Sequence, residues 1–218
     1  MGTAVIREAA AKGFQTVGAV EATGNPCIGK TLRELGITDS DTRIVDADSI
    51  PEAAANADVY VTFTTPVAEV HNIPLAVASG KRIVIGTTGF TDEQCRQTRE
   101  AVQGKVPAVF SPNYSVGVNI LFQLATALNS FPRDYDFSIT EIHHTGKKDA
   151  PSGTAKKLAD IITEARGYST VIHGRDGISP RQPGELEVAA LRAGGVPGIH
   201  DLIVAGPYEM LRIEHVAF

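Results

Sequence analysis

The sequence predicts an α/β protein of two domains, with a boundary near residue 115. Up to that point, short and mostly apolar strands alternate with helices, which is typical of βαβ units around a parallel sheet. Beyond it, strand-like runs dominate and only one clear helix lies among them. We therefore expect residues 1–114 to form a parallel-sheet α/β domain and residues 115–218 an α+β domain with a mixed four-stranded sheet.

The elements of the first domain follow from the spacing of apolar residues and from turn residues. Helices are predicted at 3–12, which ends at Gly13, at 66–80 and at 91–103, where Thr91 is a plausible N-cap. Pro74 should kink the second of these helices or shift its start. The predicted strands are 14–20, 58–64, 81–86 and 106–111.

The second domain begins with a long apolar helix over residues 115–131. A second helix, 153–166, has apolar residues at helical spacing. Four strand-like runs make up the predicted mixed sheet: 135–144, 185–192, 200–206 and 210–217.

Composition excludes several classes of protein. A net charge of −5 gives no sign of nucleic-acid binding, and no apolar run approaches the roughly 20 residues of a membrane span. The two cysteines, Cys27 and Cys95, lie far apart, as in proteins of a reducing compartment. No signal peptide is recognisable, so the sequence predicts a cytoplasmic protein.

Polar residues at predicted strand ends indicate a ligand site in the first domain, because α/β domains bind ligands there. Glu21 ends the strand 14–20, where an acidic residue commonly accepts hydrogen bonds from the ribose of NAD. Ala22 follows it, so this position has no arginine for a 2′-phosphate, which favours NADH over NADPH. A solvated loop glutamate is the alternative reading of Glu21.

Three further segments also follow predicted strands: FTTP (63–66), GTTGF (86–90) and SPNYSVG (111–117). Glycines and small hydroxyl residues in the first two let the backbone approach a ligand and donate N–H groups. In the third, Asn113 and Tyr114 can supply an amide and an aromatic wall. A dinucleotide domain also needs a first strand and a glycine-rich turn, and the sequence begins directly at a helix. Either this is not a dinucleotide fold, or the chain has lost its first strand and most of its phosphate loop.

The segment EIHHTGKKDAPSGTAKK (141–157) carries the most chemistry. Successive strand residues face opposite ways, so we expect only one of His143 and His144 to act in a cleft. A helix beginning after Ser152 presents free N–H groups suited to a carboxylate, and Lys147 lies just upstream. Histidine can donate a proton near neutral pH. A structural histidine pair and a solvated lysine face are the alternatives.

The sequence predicts no metal site in this segment. The adjacent histidines point apart and cannot chelate one ion together. No cysteine or carboxylate is spaced to complete a ligand set.

The same segment resembles the signature of the 4-hydroxy-tetrahydrodipicolinate (dihydrodipicolinate) reductases of lysine and diaminopimelate synthesis. Their pattern E-x-H-H-x-x-K-x-D-A-P-S-G-T-A is filled at every fixed position of residues 141–155. FTTP, GTTGF, NYSVGVN and the stretch 191–215 resemble further family segments in the same order. The resemblance also implies that a strand with a glycine loop before Met1, and a helix after Phe218, are missing from a truncated chain.

The resemblance implies roles for individual residues. His143 matches the acid/base histidine and Lys147 a proton-donating lysine. His144 matches a substrate-contacting histidine, and Gly153 and Thr154 match the pair that binds a substrate carboxylate. The nucleotide-binding positions match Glu21, Gly86, Thr87, Thr88, Ser111, Pro112, Asn113 and Tyr114.

The implied reaction delivers a hydride from NADH or NADPH to a small cyclic dicarboxylate and protonates it from the side of His143 and Lys147. The implied assembly is a homotetramer formed through the second domain, with no nucleic acid or membrane as partner. One alternative is a non-catalytic truncated remnant that binds a dicarboxylate or forms oligomers. Another is a different NAD-dependent amino-acid or semialdehyde dehydrogenase, which leaves the DAPSGTA turn unexplained.

Overall fold

The computed structural model describes all residues from Met1 to Phe218, and they form two compact units, Met1–Pro112 and Asn113–Phe218. The division falls two residues before the expected boundary. The nucleotide-binding role assigned to the first domain and the catalytic role assigned to the second stay predictions.

The first unit is built from short parallel strands and helices, as its alternating sequence pattern predicts. Its helices are α1 (Gly2–Ala11), α2 (Ile50–Ala53), α3 (Pro66–Ala78) and α4 (Asp92–Val102). Its strands are β1 (Ala19–Glu21), β2 (Ile44–Asp46), β3 (Val59–Thr62), β4 (Arg82–Ile85) and β5 (Ala108–Phe110). Strand β2 is too short, among polar neighbours, to give a sequence signal, and it was not predicted.

The strands of the first unit form two separate parallel sheets. One contains β1 and β2, and the other has the order β3-β4-β5. A doubly wound dinucleotide fold places its first strand between the strands that correspond to β1 and β3. No hydrogen bond joins β1 to β3, so the two sheets are separate.

Local sequence explains the helix ends of the first unit. The hydroxyl of Thr91 accepts a hydrogen bond from the Gln94 N–H at 3.2 Å, and the Gln94 side chain accepts one from the Thr91 N–H. This reciprocal pair is a capping box, so the prediction of Thr91 as N-cap is confirmed. Helix α3 begins at Pro66 and runs through Pro74, so the internal proline does not shift its start.

The second unit packs two helices, α5 (Val116–Ala127) and α6 (Gly153–Arg166), with a mixed sheet. The predicted strands are β6 (Asp136–His143), β8 (Glu185–Arg192), β9 (Gly198–Ala205) and β10 (Met210–Ala217). A short fifth strand that was not predicted, β7 (Thr170–Ile172), extends the sheet to the order β10-β9-β6-β8-β7.

The sheet places β6 at its centre, antiparallel to β9 and parallel to β8. Alternate β6 residues are buried: first the apolar Phe137 and Ile139, then the polar Glu141 and His143. One face of one strand therefore passes from hydrophobic core to candidate site. No helix of the structure has the length and apolar character to span a membrane.

Candidate active site

The segment 141–157 forms a strand end, a turn and a helix start within the second unit. Strand β6 ends at His143, which is buried, whereas His144 is exposed. The two rings therefore lie in different environments, as expected for neighbours on a strand. The turn that follows is closed by a hydrogen bond of 3.1 Å from the Lys147 N–H to the His144 carbonyl.

Glu141 is the centre of the buried polar cluster, with its side chain fully buried. Its Oε2 is in contact with Nδ1 of His143, and neither atom has another hydrogen-bond partner. Its Oε1 accepts the Ser152 N–H at 3.0 Å and lies 3.3 Å from both terminal nitrogens of Arg192. A buried carboxylate needs such compensation, because losing its hydration costs several kcal/mol.

A row of side chains crosses three strands beside this carboxylate. Glu141 on β6 pairs with His200 on β9, which pairs with His215 on β10. The rings of His143 and His200 lie 5.1 Å apart, centroid to centroid, and those of His200 and His215 lie 6.3 Å apart. Nε2 of His200 is 3.2 Å from the Ser152 hydroxyl.

Burial lowers the pKa of each of the two innermost histidines. Burial lowers the pKa of His143 below its usual value, and the Lys147 and Arg192 cations add to this while Glu141 opposes it. Burial, with a further contribution from His143, lowers the pKa of His200 to about 4.

Lys147 supplies a cation next to the histidines. Its ammonium forms an ion pair of 2.8 Å with Asp149, and its side chain is largely buried, with 20% exposed. The positive charge of Lys147 contributes to the lowered pKa of both His143 and His200.

The start of helix α6 presents two free backbone donors. Ser152 is the N-cap, and its hydroxyl accepts the Ala155 N–H at 3.2 Å. The N–H groups of Gly153 and Thr154 have no acceptor within the chain, and a Cβ added at Gly153 would meet open space. These donors lie at the positive end of a helix dipole, which suits a carboxylate.

Asn113 orients the hydroxyl of Thr154 at this helix start. Its side-chain amide donates to that hydroxyl at 3.1 Å, and its carbonyl oxygen accepts the Ser115 N–H at 2.8 Å. The Thr154 oxygen is thereby an acceptor for Asn113, and its own proton is available to a ligand.

The remaining predicted cofactor residues fall in both units. Six lie in the first unit at or just after strand ends: Glu21, Gly86, Thr87, Thr88, Ser111 and Pro112. Asn113 and Tyr114 open the second unit. Glu21 is the exposed last residue of β1, and its carboxylate accepts the Ala22 N–H at 2.9 Å.

The residues after β4 fit an anionic cofactor. Thr88 and Gly89 are exposed, and their backbone N–H groups have no acceptor within the chain. Gly86 is required by packing, since a Cβ there would lie 1.9 Å from the Phe63 ring. Free N–H groups at the carboxyl end of a parallel strand can bind a phosphate or an amide.

Sequence reasoning assigned no role to four residues of the cluster: Glu141, Arg192, His200 and His215. Glu141 could have been found, because two residues before His143 on a strand is the same face. The others depend on strand register, which the sequence leaves open.

The buried polar cluster around Glu141 also concerns the prediction that the segment 141–157 holds no metal site. Donor atoms of Glu141, His143 and His200 lie within 4.8 Å of one another, so a carboxylate is spaced to join the histidine after all. In this structure Oε1 of the carboxylate is engaged by Arg192 and Ser152, and Oε2 is in contact with Nδ1 of His143.

Two family models match nearly the whole chain. "Dihydrodipicolinate reductase, N-terminus" matches residues 1–114, and "Dihydrodipicolinate reductase, C-terminus" matches residues 117–218. The chain belongs to the dihydrodipicolinate reductase family. This membership confirms the resemblance seen in the signature segment.

Named members of the reductase family are similar over most of their length. The 4-hydroxy-tetrahydrodipicolinate reductase of Methanosarcina barkeri is 44% identical over 185 residues, which cover 84% of this chain and 69% of the relative. That of Methanothermobacter thermautotrophicus is 37% identical over 226 residues, which cover 100% of this chain and 83% of the relative. These matches support a reductase rather than a non-catalytic remnant or a different dehydrogenase.

Solved structures agree at the level of fold. A dihydrodipicolinate reductase from a Paenisporosarcina species, with dipicolinate bound, matches with a TM-score of 0.67 at 23% identity, covering 100% of this chain and 84% of that one. An amine dehydrogenase from Mycobacterium smegmatis matches with a TM-score of 0.61 at 13% identity, covering 98% and 83%.

Proposed function

We propose that this chain reduces 4-hydroxy-tetrahydrodipicolinate to tetrahydrodipicolinate, a step of lysine and diaminopimelate synthesis. The observation that carries the proposal is the pair of free N–H groups at Gly153 and Thr154 on the same short segment as the buried His143 and the Lys147 ammonium. A carboxylate-bearing ring held at the helix start would lie beside groups that can supply a proton.

The net reaction adds a hydride and a proton to the ring and releases water. A reduced pyridine nucleotide supplies the hydride when bound. Glu21 and the free N–H groups of Thr88 and Gly89 are the proposed contacts to its ribose and its anionic or amide groups. Ala22 after Glu21 favours NADH over NADPH, because no cation there would neutralise a 2′-phosphate.

The chain's own residues handle the substrate and the proton. Gly153 and Thr154 bind a ring carboxylate through their N–H groups and the Thr154 hydroxyl, and exposed His144 adds a further contact. His143 and Lys147 hold and transfer the proton. Glu141 fixes the His143 ring through Nδ1, which leaves Nε2 to face the substrate.

The proposal extends to assembly and location. The family resemblance favours a homotetramer formed through the second unit, whose strand β10 carries the exposed apolar side chains of Met210, Leu211 and Val216. Cys27 and Cys95 are free thiols, in keeping with the predicted cytoplasm.

The deciding experiment measures nucleotide consumption by this chain with substrate generated in place from pyruvate and aspartate semialdehyde. We expect consumption of NADH, and more slowly of NADPH, that is lost in His143→Ala while calorimetric binding of dipicolinate is retained. A folded chain that binds dipicolinate but consumes neither nucleotide would refute the proposed activity.

A further inference from the structure

A buried carboxylate in the first unit has no cation beside it. Glu69 lies in the first turn of α3 and is fully buried. Its Oε1 accepts hydrogen bonds from three threonine hydroxyls: Thr62 at 2.8 Å, Thr64 at 2.8 Å and Thr87 at 2.5 Å. Its Oε2 is buried without a hydrogen-bond partner.

The three hydroxyls come from two different strand ends. Thr62 is the last residue of β3, and Thr64 follows it in the FTTP segment. Thr87 lies in the GTTGF segment after β4. The Thr64 N–H also donates to the Thr87 hydroxyl oxygen at 2.7 Å. One carboxylate oxygen therefore ties together the two loops at the carboxyl edge of this sheet.

The contribution of this buried carboxylate to the stability of the fold does not explain why it is present. Burying a carboxylate without a cation costs several kcal/mol, offset here by three hydroxyls and by the amino-terminal end of α3. Apolar residues of similar size often stabilise a buried position better than charged ones. A role for Glu69 in fixing the two loops accounts for its presence.

One of the two loops that Glu69 holds, GTTGF, carries backbone N–H groups that have no acceptor. Thr87 is buried and held by its hydroxyl, and the next two residues, Thr88 and Gly89, are exposed with N–H groups that have no acceptor. The direction of these N–H groups depends on how the Thr87 backbone is held. A side-chain anchor at Thr87 thus sets the geometry of the donors that follow it.

We propose that Glu69 is a positioning residue of the nucleotide site, which holds the FTTP and GTTGF loops through Thr64 and Thr87 so that the N–H groups of Thr88 and Gly89 face the cofactor. This inference rests on the proposed reductase function. Glu69 itself touches only protein groups, so its effect on the cofactor is indirect.

The two threonines bonded to the same oxygen at the same distance provide a matched test. Thr64→Val and Thr62→Val each remove one hydroxyl bond of 2.8 Å with little change in side-chain volume. The backbone of Thr62 is held by the pairing of β3 with β4, independently of its side chain, whereas Thr64 lies in the loop. The readout is the dissociation constant of NADH, measured by fluorescence in the absence of substrate.

We expect Thr64→Val to weaken NADH binding about ten-fold and Thr62→Val to leave it within about two-fold, with dipicolinate binding unchanged in both. Equal effects on NADH binding, or none in Thr64→Val, would overturn the positioning role. If the wild-type chain itself binds neither NADH nor NADPH, the proposed function fails and the positioning role fails with it.

Variants of Glu69 itself give a second arm. Glu69→Gln keeps an acceptor oxygen for the hydroxyls, and Glu69→Leu removes it at similar volume. We expect NADH binding to be largely retained in the first and weakened more than ten-fold in the second. A Glu69→Leu protein that binds dipicolinate and NADH as tightly as wild type would overturn the proposal.

Discussion

The carboxylate of Glu141 is in contact with Nδ1 of His143, two residues further along the same buried strand face. The contact fixes which nitrogen of the imidazole turns away from the protein and places a negative charge behind a ring proposed to carry a proton. A carboxylate in this position orients the imidazole and stabilises its charged form.

Replacement of Glu141 by Gln should therefore lower kcat by about 100-fold while dipicolinate binding changes little, within the usual range for loss of an acid–base contribution. Because the carboxylate raises the pKa of His143 against the effect of burial, its removal should shift the His143 limb of the pH–rate profile to lower pH. Profiles of kcat/KM for both proteins provide the measurement. An unshifted profile would show that Glu141 is only structural.

Lys147 and Lys148 are neighbours of the same charge in different settings. Lys147 is paired with Asp149 and acts electrostatically on His143, whereas Lys148 is exposed. Lys147→Ala should lower kcat by about 100-fold, within the range for proton transfer. Lys148→Ala, its matched control, should keep wild-type turnover. Similar losses in both variants would point to general electrostatic attraction of the substrate.

Two threonines of helix α6 test the carboxylate site. Thr154 lies at the helix start with its hydroxyl held by Asn113, and Thr163 lies near the other end with a buried hydroxyl that has no partner. Thr154→Val should weaken dipicolinate binding about ten-fold, the effect of roughly one hydrogen bond to a charged group. Thr163→Val should leave it unchanged. Calorimetric titration of both variants decides between local contact and a general effect on the helix.

His200 should make stability depend on pH. Its pKa is lowered to about 4 in the folded chain and is near 6.5 when unfolded, so the unfolded state binds the proton more readily between these values. Stability is then full above about pH 6.5 and falls as pH drops towards 4, by about 3 kcal/mol from this group alone. The groups facing the ring are Glu141, His143, Lys147, Ser152 and His215.

The test compares urea unfolding of wild type and His200→Gln at several values between pH 7 and pH 4. The other titrating groups stay in place, so the difference between the two curves isolates His200. We expect the wild-type free energy of unfolding to decline more steeply. Parallel curves would mean that His200 has the same pKa in the folded and the unfolded state.

The sequence predicted what depends on local pattern. The alternation of elements, the Thr91 cap, the four long strands and the helix after Ser152 are all present in the structure. Strands β2 and β7, each of three residues, were not predicted because so short a run has no distinct periodicity. The pairing order of the strands also lay beyond a local pattern.

The residues of the candidate site divide in the same way, into those that a local pattern predicts and those that depend on strand pairing. His143, Lys147, Gly153 and Thr154 lie on one contiguous segment, so a motif could assign them. His200 and His215 join them only through the registers β6–β9 and β9–β10. A role such as that of Glu69 depends on three hydroxyls brought from separate strand ends, which no sequence spacing reveals.

The alternation of buried side chains along β6 determines what an error in strand pairing would do to this protein. Phe137 and Ile139 share that face with Glu141 and His143, so a shift of one residue in pairing would turn the core and the chemistry outward together. The register that buries Phe137 and Ile139 is also the one that buries Glu141 beside His143. A mispaired chain would therefore lose its hydrophobic core along with its activity, so a stable but inactive register is not expected.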